Sequence, residues 1–152
     1  MDDAALSALC KLEFCKATGP GGQKRNKTSS AVRATLPEWN ISATDCTERS
    51  QTANRAKALR KLRLTLAMTC RETPAVPPER IDCSVSHRDY PLWTAQVLDV
   101  FAENNWQYRI AAEKLGLSPT AFLKKLHRDP LLWQMIRREF EILGLQPLHS
   151  PE

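Results

Sequence analysis

The chain changes its hydrophobic rhythm along its length. Between Cys10 and Lys16 the period is two: Leu12 and Phe14 share one face, Lys11, Glu13 and Cys15 the other. That alternation predicts a half-buried strand. Ala31-Val32-Arg33-Ala34-Thr35-Leu36 is a second predicted strand, ended by Pro37, which has no N–H for a sheet ladder. Trp39-Asn40-Ile41-Ser42-Ala43 alternates again and predicts a third, joined to the second by a tight turn. From Ser50 the period turns helical, with Ala56, Leu59, Leu62 and Leu66 recurring at three and four residues. Ser50 is placed to cap that helix. Strand, glycine loop, strand, strand, helix is the order of a small α+β sandwich.

A second region is helical throughout. Trp93, Val97, Leu98 and Phe101 form one apolar stripe. Ile110, Ala111 and Leu115 form another, ended by Gly116. Ser118 as cap and Pro119 at the first helical position begin a third helix, with Phe122, Leu123 and Leu126 inward. Pro130 begins a fourth, with Trp133, Ile136 and Phe140 inward and Gly144 at its end. The turn through Gly116-Leu117-Ser118 makes the middle pair a helix-turn-helix unit. Between the regions, Thr73-Pro74-Ala75-Val76-Pro77-Pro78 is a helix stopper and a stiff connector. The expected division is a module over 1–72, a proline-rich linker over 73–90 and an all-α module over 91–152.

Charge separates the same regions. Of 152 residues carrying net +5, residues 1–70 hold 12 basic and 6 acidic side chains, a local +6. Residues 91–152 hold 7 of each sign. A basic first half suits a polyanionic partner. No apolar run approaches the roughly 20 residues that span a bilayer. The start Met1-Asp2-Asp3 is acidic where a secretory signal is basic. Five cysteines without such a signal fit a reducing compartment. The expectation is a cytoplasmic protein with no membrane contact.

The candidate chemistry lies in Thr18-Gly19-Pro20-Gly21-Gly22-Gln23-Lys24-Arg25-Asn26-Lys27. Three of the five glycines fall within four residues, followed by cations. Glycine clusters permit close backbone approach to a ligand, and a flexible hairpin tip has the same composition. The spacing fits neither a P-loop nor the Gly-x-Gly-x-x-Gly dinucleotide fingerprint.

Ala17 to Arg33, ATGPGGQKRNKTSSAVR, resembles the Gly-Gly-Gln loop of class-I peptide chain release factors and their ribosome-rescue relatives. A second match, Glu48-Arg49-Ser50-Gln51 then Asn54-Arg55, follows at that family's spacing and opens a helix. Together they span roughly residues 10–67. The resemblance implies a β-α-β-β-α release-factor catalytic domain, with a short helix near Asn26 to Ser30. It implies hydrolysis of the peptidyl-tRNA ester in the ribosome's peptidyl transferase centre, with ribosomal RNA and peptidyl-tRNA as partners. Gly21, Gly22 and Gln23 are the implied catalytic residues. None is a general base, so this is not triad chemistry. The glycines give the backbone its shape. The Gln23 N–H stabilises the oxyanion or leaving oxygen, and its side chain shapes the space for water. A methyltransferase acting on Gln23 is a further implied partner; no cofactor and no metal are expected.

The implied RNA-binding set is Lys24, Arg25, Asn26, Lys27, Arg33, Arg49, Gln51, Asn54, Arg55, Lys57, Arg60 and Lys61. Arg55 to Arg63 places five cations in nine residues, and such contacts weaken steeply with salt. The sequence also departs from the family. Thr18 stands where serine is usual, and Lys24 and Arg25 follow Gln23 where His or Asn and then Val are typical. The length leaves no room for a codon-reading domain, and the end, His149-Ser150-Pro151-Glu152, is not the basic tail of the short rescue hydrolases. The expectation is codon-independent release, as in ribosome rescue or termination.

Two rivals follow. One is a ribosome- or RNA-binding factor that does not hydrolyse, favoured by Lys24-Arg25. The other is a DNA-binding regulator. Ala111-Ala112-x-x-Leu115-Gly116-Leu117-Ser118 resembles the DNA-binding unit of nucleoid and activator proteins. In that reading Thr120, Lys124, Lys125 and Arg128 on the next helix face nucleic acid. The cysteines at 10, 15, 46, 70 and 83 form no Cys-x-x-Cys pair, and Cys10 and Cys15, on or beside a strand, read as small hydrophobes.

Overall fold

The computed structural model describes residues 3–16, 30–70 and 81–150. The chain divides into two compact units, Met1–Cys70 and Arg71–Glu152. An α+β unit is followed by an all-α unit.

The first unit opens with α1, Asp3–Leu9, which the sequence pattern did not predict. Three strands follow: β1 Lys11–Cys15, β2 Ala31–Leu36 and β3 Ile41–Asp45. They form one antiparallel sheet in the order β1-β2-β3. The register pairs Leu12 with Ala34 and Phe14 with Val32, and on the other side Leu36 with Ile41. Directly paired residues share a face, so these side chains point together. Helix α2, Gln51–Thr69, covers that face. Leu6 of α1, Val32, Ala34 and Leu36 of β2, Ile41 of β3, and Ala58, Leu59 and Leu62 of α2 make the core. Each fully buried aliphatic side chain there contributes about 1.5–3 kcal/mol.

Two details of the predicted pattern shift. The third strand begins at Ile41, not Trp39. Pro37 starts a 3-10 turn over Pro37–Trp39, and Asn40 closes it in the left-handed region at φ 52°. Asparagine tolerates that conformation, so the turn takes two residues from the expected strand. On α2, Ala58 is buried and Ala56 is exposed. Ser50 caps the helix as expected, accepting from the Ala53 N–H at 3.3 Å. The implied helix after the glycine loop lies outside the described residues, apart from Ser30, which is not helical.

The second unit has four helices: α3 Tyr90–Glu103, α4 Tyr108–Lys114, α5 Pro119–His127 and α6 Pro130–Ile142. Its core is aromatic. Phe101 stacks on Trp106 at 5.1 Å and meets Phe122 and Phe140 at 5.5 and 6.0 Å. Ala112, not Ile110, is the buried partner of Ala111 on α4. Ser118 caps α5, and Asp129 caps α6 by accepting from Leu131 and Leu132. Gly116 and Gly144 end α4 and α6 at φ 62° and 64°. At both ends the next residue donates back one turn, Leu117 to Ala112 and Leu145 to Phe140, each at 2.8 Å. Residues 73–80 of the expected linker lie outside the described residues. Its remainder is fastened to the helices: Ile81 N–H donates to Gln96 Oε1 at 3.1 Å, and Asp82 pairs with Lys125. Among the described residues no helix is long and apolar enough to cross a membrane.

Candidate functional site

Gly21, Gly22 and Gln23, with Lys24, Arg25, Asn26 and Lys27, lie outside the described residues. The ends from which their segment leaves and returns are described. Cys15 and Ala31 are paired across β1 and β2, so Lys16 and Ser30, the next residues out, continue from the same end of the sheet.

The connection between β3 and α2 is tied to the helix by polar contacts. Asp45, at the end of β3, is 2% exposed. Its carboxylate accepts from the Thr47 N–H at 3.0 Å and the Thr47 hydroxyl at 2.8 Å, and pairs with Lys61 at 2.7 Å. Burial pushes this carboxyl up, but Lys61 and both Thr47 donors outweigh it and hold it below the usual aspartate value. Three residues on, the Glu48 side chain accepts from Lys57 Nζ at 2.6 Å, a bond that raises the ammonium's pKa. The Glu48 backbone N–H and C=O both bond to the Asn54 carboxamide.

This arrangement revises several sequence readings. Asn54, counted among the RNA contacts, is fully buried. Its amide donates to the Ser30 carbonyl at 2.7 Å and to Glu48 at 2.9 Å, so it has no surface to present to RNA. Lys57 and Lys61 are half exposed but ion-paired within the protein. Arg55 donates to Ser7 Oγ at 2.6 Å and so joins α2 to α1. Arg33 stands on the sheet face away from α2, 3.4 Å from Thr44 Oγ1. Arg49, Gln51 and Arg60 are exposed on the turn before α2 and on the helix. Among the described residues the contact set therefore does not form one uncompensated cationic surface. Asp45 was not singled out in the sequence; the only local signal was a carboxylate two residues before a threonine, the spacing of an Asx-type turn.

In the second unit Lys124 and Arg128 are exposed on and just after α5. Lys125 is not: only 16% of its side chain is accessible. It pairs with Asp82, and its ammonium sits 4.5 Å from the Trp93 ring centroid. A cation so held stabilises the unit and is withdrawn from the predicted nucleic-acid face. Among the described residues no group of three or more His, Cys, Asp or Glu side chains is placed to hold a metal. Cys10 and Cys83 are partly buried, which pushes both thiols up, away from the reactive thiolate.

Comparison with known proteins bears on the first unit. Residues 7–87, just over half the chain, match the family model described as RF-1 domain. Peptide chain release factor 1 of Symbiobacterium thermophilum is 51% identical over 57 residues, 38% of this chain and 16% of that protein. Peptide chain release factor 1 of Xylella fastidiosa is 43% identical over 56 residues, 37% and 16%. Peptide chain release factor 2 of Acidithiobacillus ferrooxidans is 40% identical over 76 residues, 50% and 21%. The shared stretch thus spans about a fifth or less of the length of these relatives.

Proposed function

The chain belongs to the RF-1 domain family, and on that premise we propose that it hydrolyses the peptidyl-tRNA ester on the ribosome. The observation that carries this reading is the pairing of Gly21-Gly22-Gln23 with Glu48-Arg49-Ser50-Gln51 in a chain whose family match spans both. The sheet and α2 supply the rigid base such a loop needs: a strand pair where it leaves and returns, and a capped helix packed on the sheet.

In the proposed reaction water adds to the ester carbonyl and the bond to the transfer RNA oxygen breaks. The peptide leaves as an acid and the transfer RNA keeps its hydroxyl. Gly21 and Gly22 give the loop its backbone path. The Gln23 N–H stabilises negative charge on oxygen as it develops. The ribosome supplies the rest of the site, and the peptidyl transferase centre RNA is the partner. Lys24, Arg25 and Lys27 meet its phosphates, and Asn26 lies among them. Gln23 is the candidate target of a methyltransferase.

The finer part of the proposal is independence from the codon. Ribosome complexes bearing labelled peptidyl-tRNA, with a stop codon, a sense codon or no codon in the decoding site, test it. Equal release in the three, or most where the site is empty, is expected; release confined to stop codons contradicts it. The non-hydrolytic reading keeps the support of Lys24-Arg25 and predicts ribosome association without release. Against the DNA-binding reading, Lys125, one of its three cationic contacts, is in an internal ion pair.

A further inference from the structure

The Asn54 carboxamide joins three parts of the first unit at a buried point. It projects from the first turns of α2, four residues after the cap. Its two amide hydrogens go to the carbonyls of Ser30 and Glu48, at 2.7 and 2.9 Å, and its oxygen accepts from the Glu48 N–H at 2.8 Å. Ser30 lies 24 residues away in sequence and immediately precedes β2. It is also where the Gly-Gly-Gln segment rejoins the sheet. A space-filling role alone does not call for this side chain, since an apolar residue avoids the desolvation of an amide. An asparagine satisfied on both ends makes a directional link.

We propose that Asn54 is a positioning residue for peptide release: its carboxamide fixes where the glycine segment re-enters the sheet. The inference rests on the release reading above. The end where the segment leaves, Cys15, is held by its pairing with Ala31. The other is held through Ser30 to a connection that is itself braced, by Lys57 on Glu48 and by Lys61 and Thr47 on Asp45. Reaction rates on positioned groups are steep in geometry, and a misplacement of about 1 Å costs on the order of 100-fold. A loosened base therefore lowers the chemical rate without removing any group that touches RNA.

The test is single-turnover release with the full chain in excess over ribosome complexes, for wild type, Asn54→Ala and Asn54→Asp. The aspartate variant keeps the shape and the acceptor for Glu48 and loses both donors. It is the second variant if alanine folds poorly, and thermal melting of each reports the folded fraction. The expected result is a saturating rate lowered about ten-fold or more, with the half-saturating concentration within about three-fold of wild type. A purely structural role gives the opposite split. A smaller folded fraction raises the half-saturating concentration and leaves the saturating rate unchanged, and that outcome overturns the inference. Wild-type saturating rates in both variants overturn it while the release reading stands. No release by the wild type removes the release reading and this inference together.

Discussion

Asp45 shows how a single residue sets a local stability that charge counting misses. Its carboxylate is buried and ionised because Lys61 and two Thr47 donors favour the charged form. Its folded pKa lies below the ordinary value of 3.8. Such a group contributes stability that is fully present above that ordinary value and is lost as pH falls through the lowered one. Asp45→Asn should therefore cost about 1–3 kcal/mol near neutral pH. The gap from wild type should narrow as pH falls below the ordinary value, and chemical denaturation across pH 7 to pH 2 checks it. A gap constant over that range contradicts the assignment. The same contacts were hidden from a residue-level reading of the cations. Lys57, Lys61 and Lys125 look free in the sequence, yet Glu48, Asp45 and Asp82 reach them from other elements. Asn54 carries no charge and sits in a polar motif, so nothing local marked it as buried.

At the scale of elements, what is set locally was legible. Ser50 and Ser118 cap the helices they precede, and Gly116 and Gly144 end theirs. The strands of the first unit were read from alternation, and the face shared by Leu12 and Phe14 is the one the register gives. What depends on a neighbour was not. Ala56 and Ala58 are equally apolar, and only the sheet's position chooses between them. Helix α1 is short and anchored by Leu6 against partners far along the chain. The candidate catalytic loop was legible only as a motif. Gly144 offers a direct check on a helix end. A Cβ there meets nothing within 4 Å, but φ is +64°. Gly144→Ala should lower stability by about 1 kcal/mol through backbone strain alone, and Gly144→Asn by less. Equal stability of alanine and glycine in thermal melts contradicts that account. Asp129→Ala removes the acceptor of two N–H groups at the start of α6. It should cost about 1–2 kcal/mol, measured in the same melts.

For the whole molecule, the uneven charge takes on a narrower meaning. The first unit carries the excess, but Arg55, Lys57 and Lys61 of α2, and Arg33 on the opposite face of the sheet through Thr44, make internal contacts. In the proposed reading the cations for ribosomal RNA are Lys24, Arg25 and Lys27 of the loop sequence, with the exposed Arg49 and Arg60. Ribosome affinity should fall with rising salt, and the double variant Lys24→Ala, Arg25→Ala should flatten that slope by roughly 1–2. Lys124→Ala with Arg128→Ala should leave it unchanged; co-sedimentation over a salt series reads both. The most direct test of the central claim is the rate of labelled peptide release from ribosome complexes with saturating wild type and Gly22→Ala. Release by the wild type, slowed about 100-fold or more in the variant, is predicted. Release no faster than buffer by the wild type, or equally fast by both, contradicts it.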